Sequence, residues 1–128
     1  MSSDLALIRQ AALEAGRLAS DLRAAGLQLQ NKMDGSPVTS GDLAVDVFLT
    51  ERLRGARPDY GWLSEEAPDT PERLTKQRTF MIDPIDGTSA YMKGRAWWSV
   101  SIAVVEDGRP IAGVVYAPDF GGSLWAVD

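Results

Sequence analysis

Apolar residues at positions 5, 8, 12, 15, 18, 19 and 22 recur at three- and four-residue spacing. That period predicts an amphipathic helix over about residues 3–30, with Leu5, Ile8, Ala12, Ala15, Leu18, Ala19 and Leu22 facing a core. Ser3 or Asp4 is the expected N-cap. The run "NKMDGSP" over 31–37 is rich in turn formers and predicts a connector. A second helix is expected from Ser40 to Leu53, capped by Thr39 or Ser40. Its apolar stripe reads Leu43, Val47 and Leu49/Leu53, widened by Val45 and Phe48.

Beyond the turn "RPDYG" at 57–61 the period shortens. Trp62-Leu63-Ser64 predicts a short strand ending at the paired acids Glu65 and Glu66. The polar stretch 67–78 reads as a surface loop with a helical turn. Strands are expected at 79–83, 97–106 and 110–117, the last two joined through the hairpin signal Asp107-Gly108. A turn over 118–122 leads to a further strand at 123–127. Helices first and a meander afterwards predict an α+β class, with N-terminal helices on one face of a mostly antiparallel sheet. Residues 1–128 form one domain on this reading.

Composition narrows the chemistry. The net charge of −5 argues against a general nucleic-acid binder. Cysteine and histidine are both absent from the 128 residues. Thiolate sites, disulfides, histidine-ligated zinc and Ser-His triads are therefore excluded in this chain. Any metal must be a hard cation held by oxygen, such as magnesium, manganese or calcium. The first residues lack a basic segment leading into an apolar run, and no stretch of 18 apolar residues occurs. The expectation is a cytoplasmic protein without a signal peptide or membrane span.

The stretch "IDPIDGT" at 82–88 follows the apolar run Thr79–Ile82. It sets two carboxylates three residues apart, and like charges in one site repel unless a cation lies between them. Pro84 lacks an N–H and is expected to turn the chain, bringing Asp83 and Asp86 to one side with the Ile85 carbonyl. Glu, Asp, Asp and a carbonyl make an oxygen pocket suited to magnesium. Gly87 lets backbone amides approach an anion, and a helical turn from Thr88-Ser89 offers free N–H groups to a phosphate. The plain alternative is an Asx-type turn capping a short helix. An EF-hand loop is excluded, because its alternating oxygen ligands and terminal Glu are missing.

Ser64-Glu65-Glu66, some twenty residues before "DPIDGT", strongly resembles the first signature of the inositol monophosphatase-like superfamily of magnesium-dependent, lithium-sensitive phosphomonoesterases. The likeness covers the whole chain and includes "PVTSGD" at 37–42. It implies a layered α/β sandwich of that type. It implies Glu65, Asp83, the Ile85 carbonyl and Asp86 as metal ligands, with Asp83 bridging two ions. It implies that Gly87, Thr88 and Ser89 bind the substrate phosphate. Asp42, the Thr88 hydroxyl and Glu65 would serve catalysis on a water attacking phosphorus in line. Glu66 would lie behind these acids or help a third ion, and Lys32 resembles a basic residue near the family's site. Taken alone, Asp42 also reads as a first-turn helix acid and Lys32 as a solvated loop lysine.

The cofactor implied is Mg2+, two or three ions, with Li+ inhibitory. The substrate implied is a small phosphorylated metabolite, an inositol phosphate or an adenosine 3',5'-bisphosphate. Segments 89–94, 97–105 and 110–118 lean toward bacterial 3'(2'),5'-bisphosphate nucleotidases. No nucleic acid or membrane partner is expected, and a homodimer is. Trp97 and Trp98 read as packing at a strand start, or else as a stacking surface or dimer contact. A "W-D-x-A-x-G"-like motif of the family's second half is not present in these residues, so the resemblance is to an N-terminal half. The alternative function is a non-catalytic metal- or phosphate-binding module that self-associates or needs a partner chain.

Overall fold

A computed structural model describes residues 2–128. Helix α1 spans Ser3–Ala25 and helix α2 spans Ser40–Ala56. Between them lies a small antiparallel hairpin of β1 (Leu29–Asn31) and β2 (Pro37–Thr39). A five-stranded sheet follows, ordered β3 (Gly61–Ser64), β4 (Arg78–Asp86), β5 (Ser99–Glu106), β6 (Arg109–Ala117) and β7 (Ser123–Val127). A 3-10 turn at Pro71–Thr75 bridges β3 to β4, and the short helix α3 (Thr88–Met92) separates β4 from β5. Strands β3 and β4 run parallel, and every later pair is antiparallel. The architecture is the α+β layering read from the sequence.

Several boundaries differ from expectation for local reasons. Helix α1 ends at Ala25 because Gly26 takes φ 109° and returns its N–H to the Leu22 and Arg23 carbonyls. Residues 29–31 leave as β1, so the predicted connector is the hairpin's turn. The N-cap of α1 is Ser2, which accepts from the Leu5 N–H at 3.1 Å, rather than Ser3 or Asp4. Asp4 is instead buried, accepting from Arg57 (3.0 Å), Arg78 (2.7 Å) and the Tyr60 hydroxyl (2.9 Å). In α2 the inward residues are Asp42, Val45, Leu49 and Leu53, while Leu43 and Val47 are exposed. The capping interaction at Thr39 turns Asp42 inward, and the buried stripe follows at its three- and four-residue spacing.

Pro84 does not end its strand. β4 continues to Asp86 through a bulge, with Asp83 opposite Ser101 and Asp86 opposite Ser99. The bulge absorbs the missing N–H that a regular central ladder could not. At the β5–β6 turn both Asp107 (φ 51°) and Gly108 (φ 73°) adopt positive φ, as a two-residue primed hairpin requires.

Helices α1 and α2 cover one face of the sheet. Ile8, Ala12, Ala15, Val45 and Leu49 meet Phe80, Ile82, Ile102, Val104 and Val114 in one core. Among the described residues no α-helix covers the opposite face; only the 3-10 turn packs on its margin, Arg73 lying against Gly61 and Thr79. The segment before β5 divides as strand geometry demands. Trp98 is buried and T-stacked on Tyr91 at 5.0 Å, whereas Trp97 is 60% exposed.

Candidate functional site

The ends of β3 and β4 and the start of α2 converge at one end of the sheet. Their parallel pairing sets Ser64 opposite Ile82, which places Glu65 and Asp83 side by side just beyond. Glu65 donates its N–H to the Ile82 carbonyl at 3.1 Å. Both acids line a cavity of about 480 Å3, floored by Met81, Ser101 and Ala103.

Asp83 is half-buried. Its carboxyl is pushed up to about 7, first by burial and then by the negative charges of Asp86, Glu65, Glu66 and Asp42. This is the electrostatic signature of acids crowded without enough positive charge. One cation answers part of it. Lys32, in the turn of the β1–β2 hairpin, pairs with Glu66 at 3.1 Å and reaches the Glu65 carbonyl at 3.4 Å. Burial lowers the affinity of Lys32 for its proton, but the bond and charge of Glu66, with Asp42 and Asp34, leave it raised. Glu66 itself is raised by burial despite that partner.

A second group forms behind these acids. Asp42 is fully buried. Its Oδ2 accepts from the Thr39 N–H (2.8 Å) and hydroxyl (2.6 Å), and its Oδ1 from the Thr88 hydroxyl (2.7 Å). The Thr88 hydroxyl also lies 3.2 Å from the Ile85 carbonyl. Asp42 is thus both the first-turn acid of a capping box and the partner of Thr88. The two readings of that residue coexist.

Gly87 makes the joint between β4 and α3. Its φ of 85° lies in the left-handed region, and a Cβ there would stand 2.8 Å from the Trp97 carbonyl. It opens α3, whose first N–H groups, those of Thr88 and Ser89 among them, have no partner within the helix. Asp86 and Gly87 line a neighbouring groove with Trp97 and Trp125, distinct from the Glu65–Asp83 cavity. Ser89 is exposed beside Gly87, Lys93 and Arg95. Among the described residues no three acids stand close enough to enclose a metal ion as placed. The donor set still fits a hard cation in kind: it is all oxygen, it is crowded with negative charge, and only Lys32 partly balances it.

Two supporting residues, Asp46 and Arg23, were missed in the sequence, and a third, Thr39, was read there only as a helix cap. Thr39 holds Asp42, and the Thr-x-x-Asp spacing of a capping box signals it. Asp46 accepts from the Ser64 hydroxyl at 2.6 Å, which in turn accepts the Glu66 N–H at 3.2 Å. Its i+4 position after Asp42 was the clue. Arg23 bonds the Tyr91 and Arg95 carbonyls at 3.2 and 2.9 Å and pairs with Asp119, bracing α3 against α1. No local pattern announces it, since its partners lie roughly 70 to 100 residues away in sequence.

Comparison with known proteins places this geometry. The sequence profile of the inositol monophosphatase family matches residues 1–128. The 3'(2'),5'-bisphosphate nucleotidase CysQ of Salmonella typhimurium is 43% identical over 93 residues, covering 72% of this chain and 38% of its own. The inositol-1-monophosphatase of Mesorhizobium japonicum is 36% identical over 119 residues, covering 91% and 44%. The crystal structure of the extragenic suppressor protein suhB from Bartonella henselae superposes with a TM-score of 0.90 at 30% identity, covering 99% of this chain and 49% of that one. The chain therefore spans half or less of the length of the relatives it matches. With the profile matched from end to end and the fold shared, the chain belongs to the inositol monophosphatase family.

Proposed function

We propose that the protein is a Mg2+-dependent phosphomonoesterase acting on a small phosphorylated metabolite, of the inositol phosphate or adenosine 3',5'-bisphosphate type. The observation that carries this is the crowding of Asp83 by Asp86, Glu65, Glu66 and Asp42 beside the Thr88–Asp42 hydrogen bond. The residues assigned to Mg2+ are Glu65, Asp83, the Ile85 carbonyl and Asp86. When bound there, Mg2+ neutralises this charge and polarises a phosphoryl oxygen and a water.

The chain's own groups do the rest. Thr88 gives its hydroxyl proton to buried Asp42, so an Oγ1 lone pair is free to accept a hydrogen bond from water. A water held there lies in line with a phosphate bound at the N–H groups of Gly87, Thr88 and Ser89. Its proton passes through Thr88 toward Asp42 as the water oxygen bonds to phosphorus and the ester P–O bond opposite it breaks, the departing alkoxide taking a proton from solvent to leave as the alcohol. Thr39 keeps Asp42 fixed while this happens. The assembly proposed is a homodimer and the location the cytoplasm; no helix among the described residues is long and apolar enough to cross a membrane.

A second reading is a metal- or phosphate-binding module without turnover. It is favoured by the open arrangement of the acids among the described residues, where no three stand close enough to enclose an ion and complete a catalytic centre. Release of inorganic phosphate from inositol 1-phosphate and from adenosine 3',5'-bisphosphate, with and without Mg2+, separates the two. Mg2+-dependent release that Asp83→Asn abolishes supports the phosphatase. Mg2+ binding without release supports the module.

A further inference from the structure

Asp119 stands in the turn between β6 and β7, outside the motifs read in the sequence. Its Oδ2 is the meeting point of two donors. The Trp98 indole N–H reaches it at 2.9 Å, and the Arg23 guanidinium pairs with it. Trp98 is buried, so its N–H needs a partner within the fold. The same guanidinium gives its other terminal nitrogen to the Tyr91 carbonyl at 3.2 Å and to the Arg95 carbonyl at 2.9 Å. Asp119 thus fixes the fork that closes the C-terminal end of α3. Through Trp98 it also fixes the segment passing the start of α3. There the Trp97 carbonyl and Trp98 Cα lie 2.8 and 3.4 Å from where a Cβ on Gly87 would stand. One carboxylate oxygen therefore holds α3 at both ends.

What α3 is held against is the first turn of α2. The Tyr91 ring lies on Gly41, where a Cβ would stand 2.3 Å from the Tyr91 hydroxyl. That hydroxyl donates to the Ala19 carbonyl of α1 at 2.7 Å. Trp98 meets Tyr91 edge to face, and the Arg23 guanidinium lies over both rings. Gly41 precedes Asp42, and Tyr91 follows Thr88 by three residues on the same helix face. The Tyr91–Gly41 contact and the Thr88–Asp42 hydrogen bond are therefore adjacent joints between the same two helices.

We infer that Asp119 is a positioning residue for the Thr88–Asp42 pair, acting through Arg23 and Trp98 on the short helix that carries Thr88; its role in turnover rests on the phosphatase reading above. The carboxylate does this without touching the reacting groups. A five-residue helix has too few internal hydrogen bonds to fix its own place, so its surroundings set it. Removing the carboxylate leaves the Trp98 N–H unpaired and takes the anion from the Arg23 fork. α3 then shifts on Tyr91, and the Thr88 hydroxyl loses its fixed 2.7 Å contact with Asp42. A displacement of about 1 Å in a positioned group is enough to lower turnover by as much as about 100-fold.

Steady-state release of phosphate from inositol 1-phosphate and adenosine 3',5'-bisphosphate, at saturating Mg2+, tests this on the 128-residue chain. Asp119→Ala is expected to lower kcat by about tenfold while KM moves by less than about twofold, a split that loss of folded protein alone does not give in the double variants below. Asp119→Asn keeps an oxygen acceptor for Trp98 and restores part of the loss. In a Thr88→Ala background Asp119→Ala has little further effect, because the residue through which it acts is gone. Glu14→Ala breaks another ion pair of α1, that with Arg52, and leaves kcat unchanged. Far-UV circular dichroism confirms that the variants are folded, and Asp119→Asn carries the test should Asp119→Ala unfold. Full kcat in the Asp119 variants, or a loss that simply adds to that of Thr88→Ala, overturns the inference. Absence of release by the wild type overturns the phosphatase reading instead. Hydrogen exchange at the Thr88 and Ser89 amides then decides the positioning role: exchange faster by at least about tenfold in Asp119→Ala supports it, and equal exchange overturns it.

Discussion

The Thr88 hydroxyl stands 2.7 Å from the Asp42 carboxylate, joining the first turn of α3 to the first turn of α2 across 46 residues of sequence. Asp42 is fully buried and accepts three hydrogen bonds, two from Thr39 and one from Thr88. Removing the Thr88 hydroxyl leaves Asp42 Oδ1 without its partner. Thr88→Ala is expected to lower phosphate release by about 100-fold, mainly in kcat, as loss of one positioned proton carrier does. It also destabilises the chain by about 1 kcal/mol, the usual scale for a buried acceptor left unpaired. Thr88→Ser retains the hydroxyl and restores most of both. Steady-state kinetics and urea denaturation read the two effects separately.

Asp83 gives the opposite trade. Its carboxyl is pushed up to about 7 by burial and four neighbouring acids. In the metal-free chain the native state therefore holds a proton that the unfolded state releases. Stability falls as pH rises from about 4 to 7 and is level above that. A rise of this size corresponds to about 4 kcal/mol if fully buried, and about 1–2 kcal/mol after solvent screening at a half-buried site. Asp83→Asn is expected to raise Tm in EDTA at pH 8 by about 5 °C and to flatten this pH dependence. The same substitution removes a proposed metal ligand. A Tm that drops at pH 8 in EDTA contradicts the crowding.

Gly87 tests the joint beneath the proposed phosphate site. Its φ of 85° opposes any side chain, and so does the Trp97 carbonyl, 2.8 Å from where a Cβ would stand. Gly87→Ala is expected to cost about 2–3 kcal/mol, from left-handed strain and the close contact together. Gly55→Ala, in α2 with nothing near its Cβ position, serves as the control and is neutral or stabilising. Thermal unfolding of both variants gives the comparison.

Arg23 is expected to control the order of α3. Its guanidinium bonds the Tyr91 carbonyl of α3 and the Arg95 carbonyl just beyond it, pairs with Asp119 and lies over the Tyr91 and Trp98 rings at 5.4 and 5.6 Å. Arg23→Ala should speed amide exchange in residues 87–95 by about tenfold or more while β5 and β6 remain protected. Arg23→Lys keeps the charge but not the planar fork, and rescues only in part. Unchanged exchange in both variants contradicts this role.

The layers and the acids were legible in the sequence, because periodicity and carboxylate spacing are local signals. Ser64-Glu65-Glu66 and "DPIDGT" sit at strand ends, as their spacing predicts. What escaped was anything fixed by tertiary partners. Pro84 reads as a turn, but pairing with β5 resumes at Asp86 and carries the strand past it as a bulge, beyond the end of the β3 pairing at Ile82. Leu43 and Val47 fit a helical stripe on paper, yet the inward turn of Asp42 rotates α2 and leaves both in solvent. Arg23 and Asp46 act across distances that no window along the chain spans.

Calorimetric titration of Mg2+ into the wild-type chain and into Asp83→Asn at pH 8 tests the proposed metal site most directly. Saturable binding by the wild type, lost or weakened by at least about 30-fold in Asp83→Asn, is the expected result. Equal binding by the two proteins, or none by the wild type, would contradict the assignment of these acids to a cation.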